Sequence, residues 1–330
     1  MKLNKTRQDL VDAFKAALQE DTLPWQQCWR ASRPISLQTG KEYRGINNLS
    51  LSYAAYQKGY TDPRWITYKQ AQAKGWQVRG GEKGSRVEFW HYFDKQSGKV
   101  LDQADVRRIQ RDQPERMKFI RLAAYSYTVF NAEQVDGVPQ LAPQEAKVDV
   151  AMLQRGRDLF LRNLGVAFRE GGSEAYYLAR TDSIHMPYTE CFTSDYAYTC
   201  TLLHEAGHAT GHESRLNREI GSLFGSATYA REELRAEIAS AFLSQSLGLK
   251  LDEQELKHSI DRHKAYIQNW ISIFDEDPNE LFAAVKDADK IADYLLEHGK
   301  LLELGMSEEA AREVGQTPQL QAEEMAGWEP

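Results

Sequence analysis

Cysteine is scarce: the 330-residue chain has three, Cys28, Cys191 and Cys200, with no Cys-x-x-Cys pair among them. An odd, scattered set excludes a disulfide-stapled fold and a cysteine-held zinc site, and fits a reducing, cytoplasmic setting. No run of eighteen apolar residues occurs, so no membrane-spanning helix is expected and a membrane is not among the partners. The charged N-terminus also lacks the apolar stretch of a signal peptide. The glycine-bearing segment Arg79-Gly-Gly-Glu-Lys-Gly-Ser-Arg86 lacks the Gly-Lys-Ser/Thr ending of a nucleotide-binding P-loop, although its glycines would let backbone approach a phosphate. At this length there is room for two domains with proper cores.

What the chain does have is divided unevenly. The net charge is −7, yet residues 1–140 hold 23 Lys and Arg against 15 Asp and Glu, a balance of +8, while residues 141–330 hold 18 against 33, a balance of −15. The change falls at Val135-Asp-Gly-Val-Pro-Gln-Leu-Ala-Pro-Gln-Glu145, whose Pro and Gly content reads as a linker. We therefore expect an α+β protein of two domains: residues 1–138, a linker at 139–148, a second domain over 149–305, and an acidic tail at 306–330. Opposite charges on the two halves suggest different partners.

The acidic half contains His204-Glu-Ala-Gly-His208, an HExxH pattern within a run of helical periodicity from Tyr196 that Gly211 can terminate. Residues four apart share a helix face, so both imidazoles can converge on one cation. Glu205 can then take a proton from a water that the cation activates. A catalytic zinc has three protein ligands and one open position. The segment from Tyr229 to Leu243 reads as a second amphipathic helix with Leu234, Ile238, Ala241 and Phe242 as its apolar stripe. Glu233 is our choice of third ligand, with Glu237 accepting a hydrogen bond from the far nitrogen of a ligand histidine; Glu232 and Glu237 are the competing choices. This spacing resembles gluzincins. Upstream, Asp182-Ser-Ile-His-Met-Pro187 alternates and ends in proline, as a short edge strand beside a peptide cleft would.

The basic half holds five of the seven tryptophans and eight of the sixteen tyrosines. Basic side chains follow a phosphate backbone while flat rings stack on unpaired bases, the chemistry of sequence-tolerant single-strand binding. The candidates are Trp25, Trp29, Tyr43, Arg44, Asn47, Asn48, Trp65, Tyr68, Lys83 and Arg86. Taken singly, each tryptophan reads first as a core residue; the combination carries the signal. Helices are expected at residues 4–20, from Asn47 or Ser50 to Tyr56, and at 68–74, with strands at 86–93 and 126–130. The charged stretch 102–118 reads as a surface insertion or helix.

Several stretches, in order, resemble the ArdC family of antirestriction proteins, related to the accessory region of TraC-type plasmid primases. In the basic half these are Pro24-Trp-Gln-Gln-Cys-Trp29, Tyr43-Arg-Gly-Ile-Asn47, Trp65-Ile-Thr-Tyr68, Gly75-Trp-Gln-Val-Arg-Gly-Gly-Glu-Lys-Gly84 and Val129-Phe-Asn-Ala-Glu-Gln134. Beyond them come residues 182–187, the HExxH stretch through His212, Arg215-Leu-Asn-Arg218 and residues 229–237. The resemblance spans roughly residues 20–245 and implies an N-terminal domain that binds single-stranded DNA without sequence preference and a zincin-like metallopeptidase domain carrying one Zn2+. It also implies protection of incoming conjugative DNA from restriction, with an unidentified protein substrate for which a host restriction component is a candidate. The alternative is a non-catalytic protein that coats single strands and keeps a structural or regulatory metal site.

Overall fold

The computed structural model describes residues 3–25, 32–142, 148–220, 226–249 and 266–306. Its contacts divide the chain into two units, one of residues 1–33, 44–56 and 141–330, the other of 34–43 and 57–140. The smaller unit ends at 140, but residues 1–33 and 44–56, expected in the N-terminal domain, group with the larger unit, because the N-terminal helices follow their apolar faces rather than the local charge. Helix α1 (Lys5–Gln19) is capped by Asn4, which accepts from the Arg7 amide, and buries Val11, Phe14, Ala17 and Leu18. Helix α2 (Gly45–Lys58), which begins two residues before Asn47, buries Leu49 and Tyr53. Both helices feed the larger unit's core, with Phe14 against Tyr53 at a ring separation of 5.2 Å.

The smaller unit is built on a five-stranded sheet in the order β1-β2-β6-β4-β5. Its strands are β1 (Ile35–Ser36), β2 (Arg64–Thr67), β4 (Ser85–Asp94), β5 (Lys99–Leu101) and β6 (Ile120–Asn131). Strands β3 (Gln77–Val78) and β7 (Val135–Asp136) form a separate pair. Helix α3 (Tyr68–Ala73) starts on a reciprocal cap between Thr67 and Gln70, and helix α4 (Gln103–Asp112) on one between Asp102 and Asp105. Two small cores sit on this sheet. Ile66, Ala71, Val78 and Val135 form one, and Val106, Ile109 and Ile120 form the other under α4. Strand β6 begins six residues earlier than its expected start at Ser126. Of the six extra residues only Ile120 is buried, so the stretch shows no sustained inside-outside alternation for a sequence reading to detect.

The larger unit adds α5 (Val150–Arg155), α6 (Arg157–Leu164) and a three-stranded sheet of β8 (Ala167–Glu170), β9 (Tyr176–Leu178) and β10 (Ser183–Met186). Here an expectation fails: β10 is the central strand, parallel to β8 and antiparallel to β9, so it offers no free edge to an extended peptide. Pro187 follows the strand instead of interrupting it, and its missing amide leaves the ladder intact. Helices α7 (Asp195–Ala209), α8 (Ala227–Leu247), α9 (described over 266–276), α10 (Glu280–His298) and α11 (Leu301–Gly305) complete the unit. Helix α8 packs between α7 and α10 and is buried on all sides from Ala236 onward, so it is a central helix rather than an amphipathic surface one. Gly211, expected as a helix terminator, is needed for space. A Cβ there would lie 2.7 Å from Ile220 Cγ1.

Candidate metal centre

Helix α7 starts where Ser194 accepts a hydrogen bond from the Ala197 amide and runs unbroken through both histidines. One turn apart on one face, His204 and His208 meet edge-on, with ring centroids 4.8 Å apart and Nε2 atoms 3.1 Å apart. Helix α8, capped by Ser226, brings three buried glutamates to the same place. Glu233 spans the inner nitrogens, its Oε2 3.6 Å from His204 Nε2 and its Oε1 3.4 Å from His208 Nε2. The outer nitrogens face the other two acids. His204 Nδ1 lies 3.2 Å from Glu237 and His208 Nδ1 3.3 Å from Glu232.

This geometry fits one small divalent cation. Metal bonds of roughly 2.0–2.2 Å at tetrahedral angles give donor-donor edges of about 3.3–3.6 Å; here the Nε2 atoms are 3.1 Å apart, each faces a different Glu233 oxygen at 3.6 and 3.4 Å, and one donor atom from each residue lies within 4.8 Å of the others. Among the described residues, His204, His208 and Glu233 are the one group whose donor atoms converge in this way. Glu232 and Glu237 lie on the Nδ1 side of the two rings, where accepting a hydrogen bond would point each Nε2 inward.

Charge makes the same case. Burial pulls both imidazoles down, but the facing carboxylates outweigh it, holding His204 well above its ordinary value and His208 at about 9. Burial would raise Glu233, yet hydrogen bonds with His204 and His208 drive it far below the carboxylate range. Arg218 answers Glu232 at 2.6 Å and also donates to the Gly207 carbonyl and the Thr210 hydroxyl, tying the end of α7 to α8. Glu233 and Glu237 are buried carboxylates that face these imidazoles, and a divalent cation at the Nε2 atoms would take over the charge balance that the imidazole protons otherwise supply.

Glu205, also buried, follows His204 on α7. Two tyrosines missed in the sequence reading border the cluster. Tyr229, one turn before Glu233 on α8, is raised by burial and then by the Glu233 carboxylate, with which its hydroxyl is hydrogen-bonded. Tyr266 of α9, 6.1 Å from Tyr229 between ring centroids, is raised by burial, then by Glu233, with Glu205 also contributing. Both phenols therefore keep their protons at neutral pH and can donate. The four-residue spacing from Tyr229 to Glu233 was a usable signal; Tyr266 had none. His212 bonds Ser214 at 2.8 Å, away from the cluster, and His185 stacks on Tyr176 at 4.5 Å.

The candidate DNA contacts are not brought together. Trp25 is fully buried in the larger unit, edge-on to Trp270 at 5.3 Å. Asn48 is buried too, donating to Gln245 at 2.9 Å. In the smaller unit Trp65 is fully buried and packs edge-on to Tyr60 at 6.2 Å. These three are corrected: each faces its own core, so none has surface for a base. Arg44 is ion-paired with Asp289 and Asp293, and Asn47 is half-buried. Trp29 lies outside the described residues. Tyr43 is buried, whereas Tyr68, Lys83 and Arg86 are exposed. In the loop before β4, Gly84 serves packing, since a Cβ there would meet Thr128 Cγ2 at 2.5 Å and the Val129 carbonyl at 2.8 Å.

Fold and cluster together define a zincin-like metallopeptidase domain preceded by a domain of different make. Residues 156–287 match the zincin-like metallopeptidase family, and residues 4–130 match the N-terminal domain of anti-restriction factor ArdC. Crystal structures of the antirestriction ArdC protein from plasmid R388, metal-free and Mn(II)-bound, superpose with a TM-score of 0.68 at 34% identity, covering 90% of this chain and 98% of that one. A protein of Sinorhizobium fredii designated y4eC is 37% identical over 289 residues, 87% of this chain and 88% of that protein. Two DNA primase TraC proteins of Escherichia coli are 40% and 39% identical over 87% of this chain, which spans only 26% and 19% of their lengths. The chain belongs to the ArdC family of antirestriction proteins.

Proposed function

We propose that this ArdC-type antirestriction protein hydrolyses peptide bonds at a single zinc ion held by His204, His208 and Glu233, and that it binds single-stranded DNA without sequence preference. The observation that carries the hydrolytic reading is the convergence of both Nε2 atoms on Glu233 with Glu205 next along the same helix. A divalent cation there would polarise the scissile carbonyl and acidify the attacking water. Glu205 takes the proton of that water as it adds to the carbonyl carbon and returns it to the departing amine. Tyr229 or Tyr266, each protonated, donates to the oxygen that gains charge. Glu232 and Glu237 keep the imidazoles aligned, and Arg218 holds Glu232 in place.

The DNA reading rests on the basic, aromatic-rich N-terminal half and on family membership. Carried on one chain, strand binding would raise the local concentration of the peptidase site near DNA-bound proteins. On this reading the protein protects conjugatively transferred DNA in the cytoplasm, acting on a host protein connected with restriction. The test compares wild type with Glu205→Ala in a restriction-protection assay during plasmid transfer, with zinc content and single-strand binding measured alongside. Loss of protection with both bindings intact supports hydrolysis as the function. Full protection by the variant refutes it and favours strand coating.

A further inference from the structure

Between their two ends, β4 and β6 pair only with each other. Strand β5 pairs with β4 at Tyr92–Asp94, and β2 pairs with β6 at Val129–Asn131. Among the described residues no strand lies beside 86–91 of β4 or 122–128 of β6 on their outer sides. This stretch is a two-stranded ribbon, a form that is marginal in water on its own. It nevertheless carries five of the eleven exposed large hydrophobic side chains of the described residues: Phe89, Trp90, Leu122, Tyr125 and Tyr127. A concentration of this kind marks a surface that something covers.

The register sorts these side chains by face. Phe89 stands opposite Tyr125, Val87 opposite Tyr127, and His91 opposite Ala123, so the alternation of a strand puts Phe89, His91, Tyr125 and Tyr127 on one side. Their rings confirm it. Phe89 and Tyr127 are 5.6 Å apart, His91 and Tyr125 are 5.6 Å apart, and Tyr43 continues the row 6.3 Å from Phe89. Trp90 and Leu122 point the other way.

We infer that this aromatic face is the platform on which unpaired bases of a DNA single strand stack. The inference rests on the DNA-binding reading above and gives it a location. Charge selects this occupant. The unit of residues 34–43 and 57–140 has 16 Lys and Arg against 11 Asp and Glu, a net of +5, while the rest of the chain is at −12. On the face itself, exposed Arg121 stands opposite Phe93, and no acid lies on that face between Ser85 and Phe93 or between Arg121 and Val129. Rings without acids, next to a guanidinium, suit a polyanion whose bases present flat faces. A duplex hides those faces within its own stack.

The test is fluorescence anisotropy of a 5′-fluorescein-labelled oligothymidine on the full chain, in a salt series. The variant Phe89→Ser/Tyr125→Ser/Tyr127→Ser should bind about tenfold more weakly or worse, with an unchanged salt slope because no charge is removed. Its metal content and thermal transition should match wild type, since no core residue is touched. The ring-preserving variant Phe89→Tyr/Tyr125→Phe/Tyr127→Phe should bind within about twofold of wild type. The inference falls if the ring-less variant binds as wild type does, or if Trp90→Ser/Leu122→Ser on the opposite face weakens binding equally. It also falls if light scattering shows that ring removal dissolves an oligomer while DNA affinity holds, for then a second copy covers the face. Absence of binding by wild type itself would instead overturn the DNA-binding reading.

Discussion

Along α8, three glutamates are buried within six residues; along the β4–β6 ribbon, four aromatic rings and a leucine stand in solvent. Both regions reverse the ordinary partition of side chains, in opposite directions. An exposed leucine by itself means little, whereas buried acids and clustered exposed rings both need a reason. On α8 the reason lies within the protein, since each acid has an imidazole or guanidinium at hydrogen-bonding range and the set converges on a cation-sized position. On the ribbon the rings of Phe89, Tyr125 and Tyr127 keep more than a third of their surface in solvent, so the reason is sought outside the unit. A chemical centre thus builds its environment inward, and a recognition surface leaves its environment to the partner.

The sharpest break of this comparison is Glu205→Gln. Zinc-loaded variant should retain one metal per chain while hydrolysis of an unfolded protein substrate slows by roughly 10²–10⁴-fold; an undiminished rate would remove Glu205 from the chemistry. Next come two aromatic truncations of opposite kind. Trp25→Ala empties a core position and should cost about 3–5 kcal/mol in urea denaturation, whereas Phe89→Ala on the ribbon should cost less than about 1 kcal/mol. Equal costs would mean that the ribbon is a structural element rather than a surface.

A smaller effect is expected from Glu237→Ala, which leaves all three donors in place. Competition with a chelator should show metal affinity weakened by about 10–100-fold; a wild-type affinity would deny Glu237 its orienting role. The metal-stripped protein should show a pH dependence of its own. His208 titrates at about 9 in the fold against an ordinary 6.5, so its protonated form stabilises fully below about pH 6.5, and this contribution is lost as the pH rises toward 9. Zinc should reverse the trend, because the donors bind it deprotonated. Urea midpoints at three pH values, with and without zinc, would check both signs. The smallest effect is Arg44→Ala. Its exposed pairs with Asp289 and Asp293 are worth at most about 1 kcal/mol, and single-strand affinity should stay within about twofold.

How much of this was legible in the sequence follows the range of the signal. His204, Glu205 and His208 share one helical turn and were legible from spacing, whereas on the next helix spacing left Glu232, Glu233 and Glu237 as competing third ligands. The family domains were legible from motifs in order. The contact division was not, because it depends on where α1 and α2 bury Phe14 and Tyr53, a tertiary choice that charge does not reveal. For the same reason Trp25, Trp65 and Asn48 stood among the candidate DNA contacts, although each tryptophan taken singly reads as core: composition counts rings and amides without saying which way they face. The ribbon was invisible because Phe89 and Tyr127 lie 38 positions apart and meet only through strand register.

That register has a small guardian. The absent Cβ of Gly84 lets β4 enter beside Thr128 and the Val129 carbonyl, one step before Ser85 pairs with Val129. Strand side chains repeat every second residue, so a slip of one position would send Phe89 to the side of Trp90 and away from both tyrosines. The ribbon's address is therefore a matter of parity. One hydrogen atom in place of a methyl group carries the single bit that says which side faces the partner.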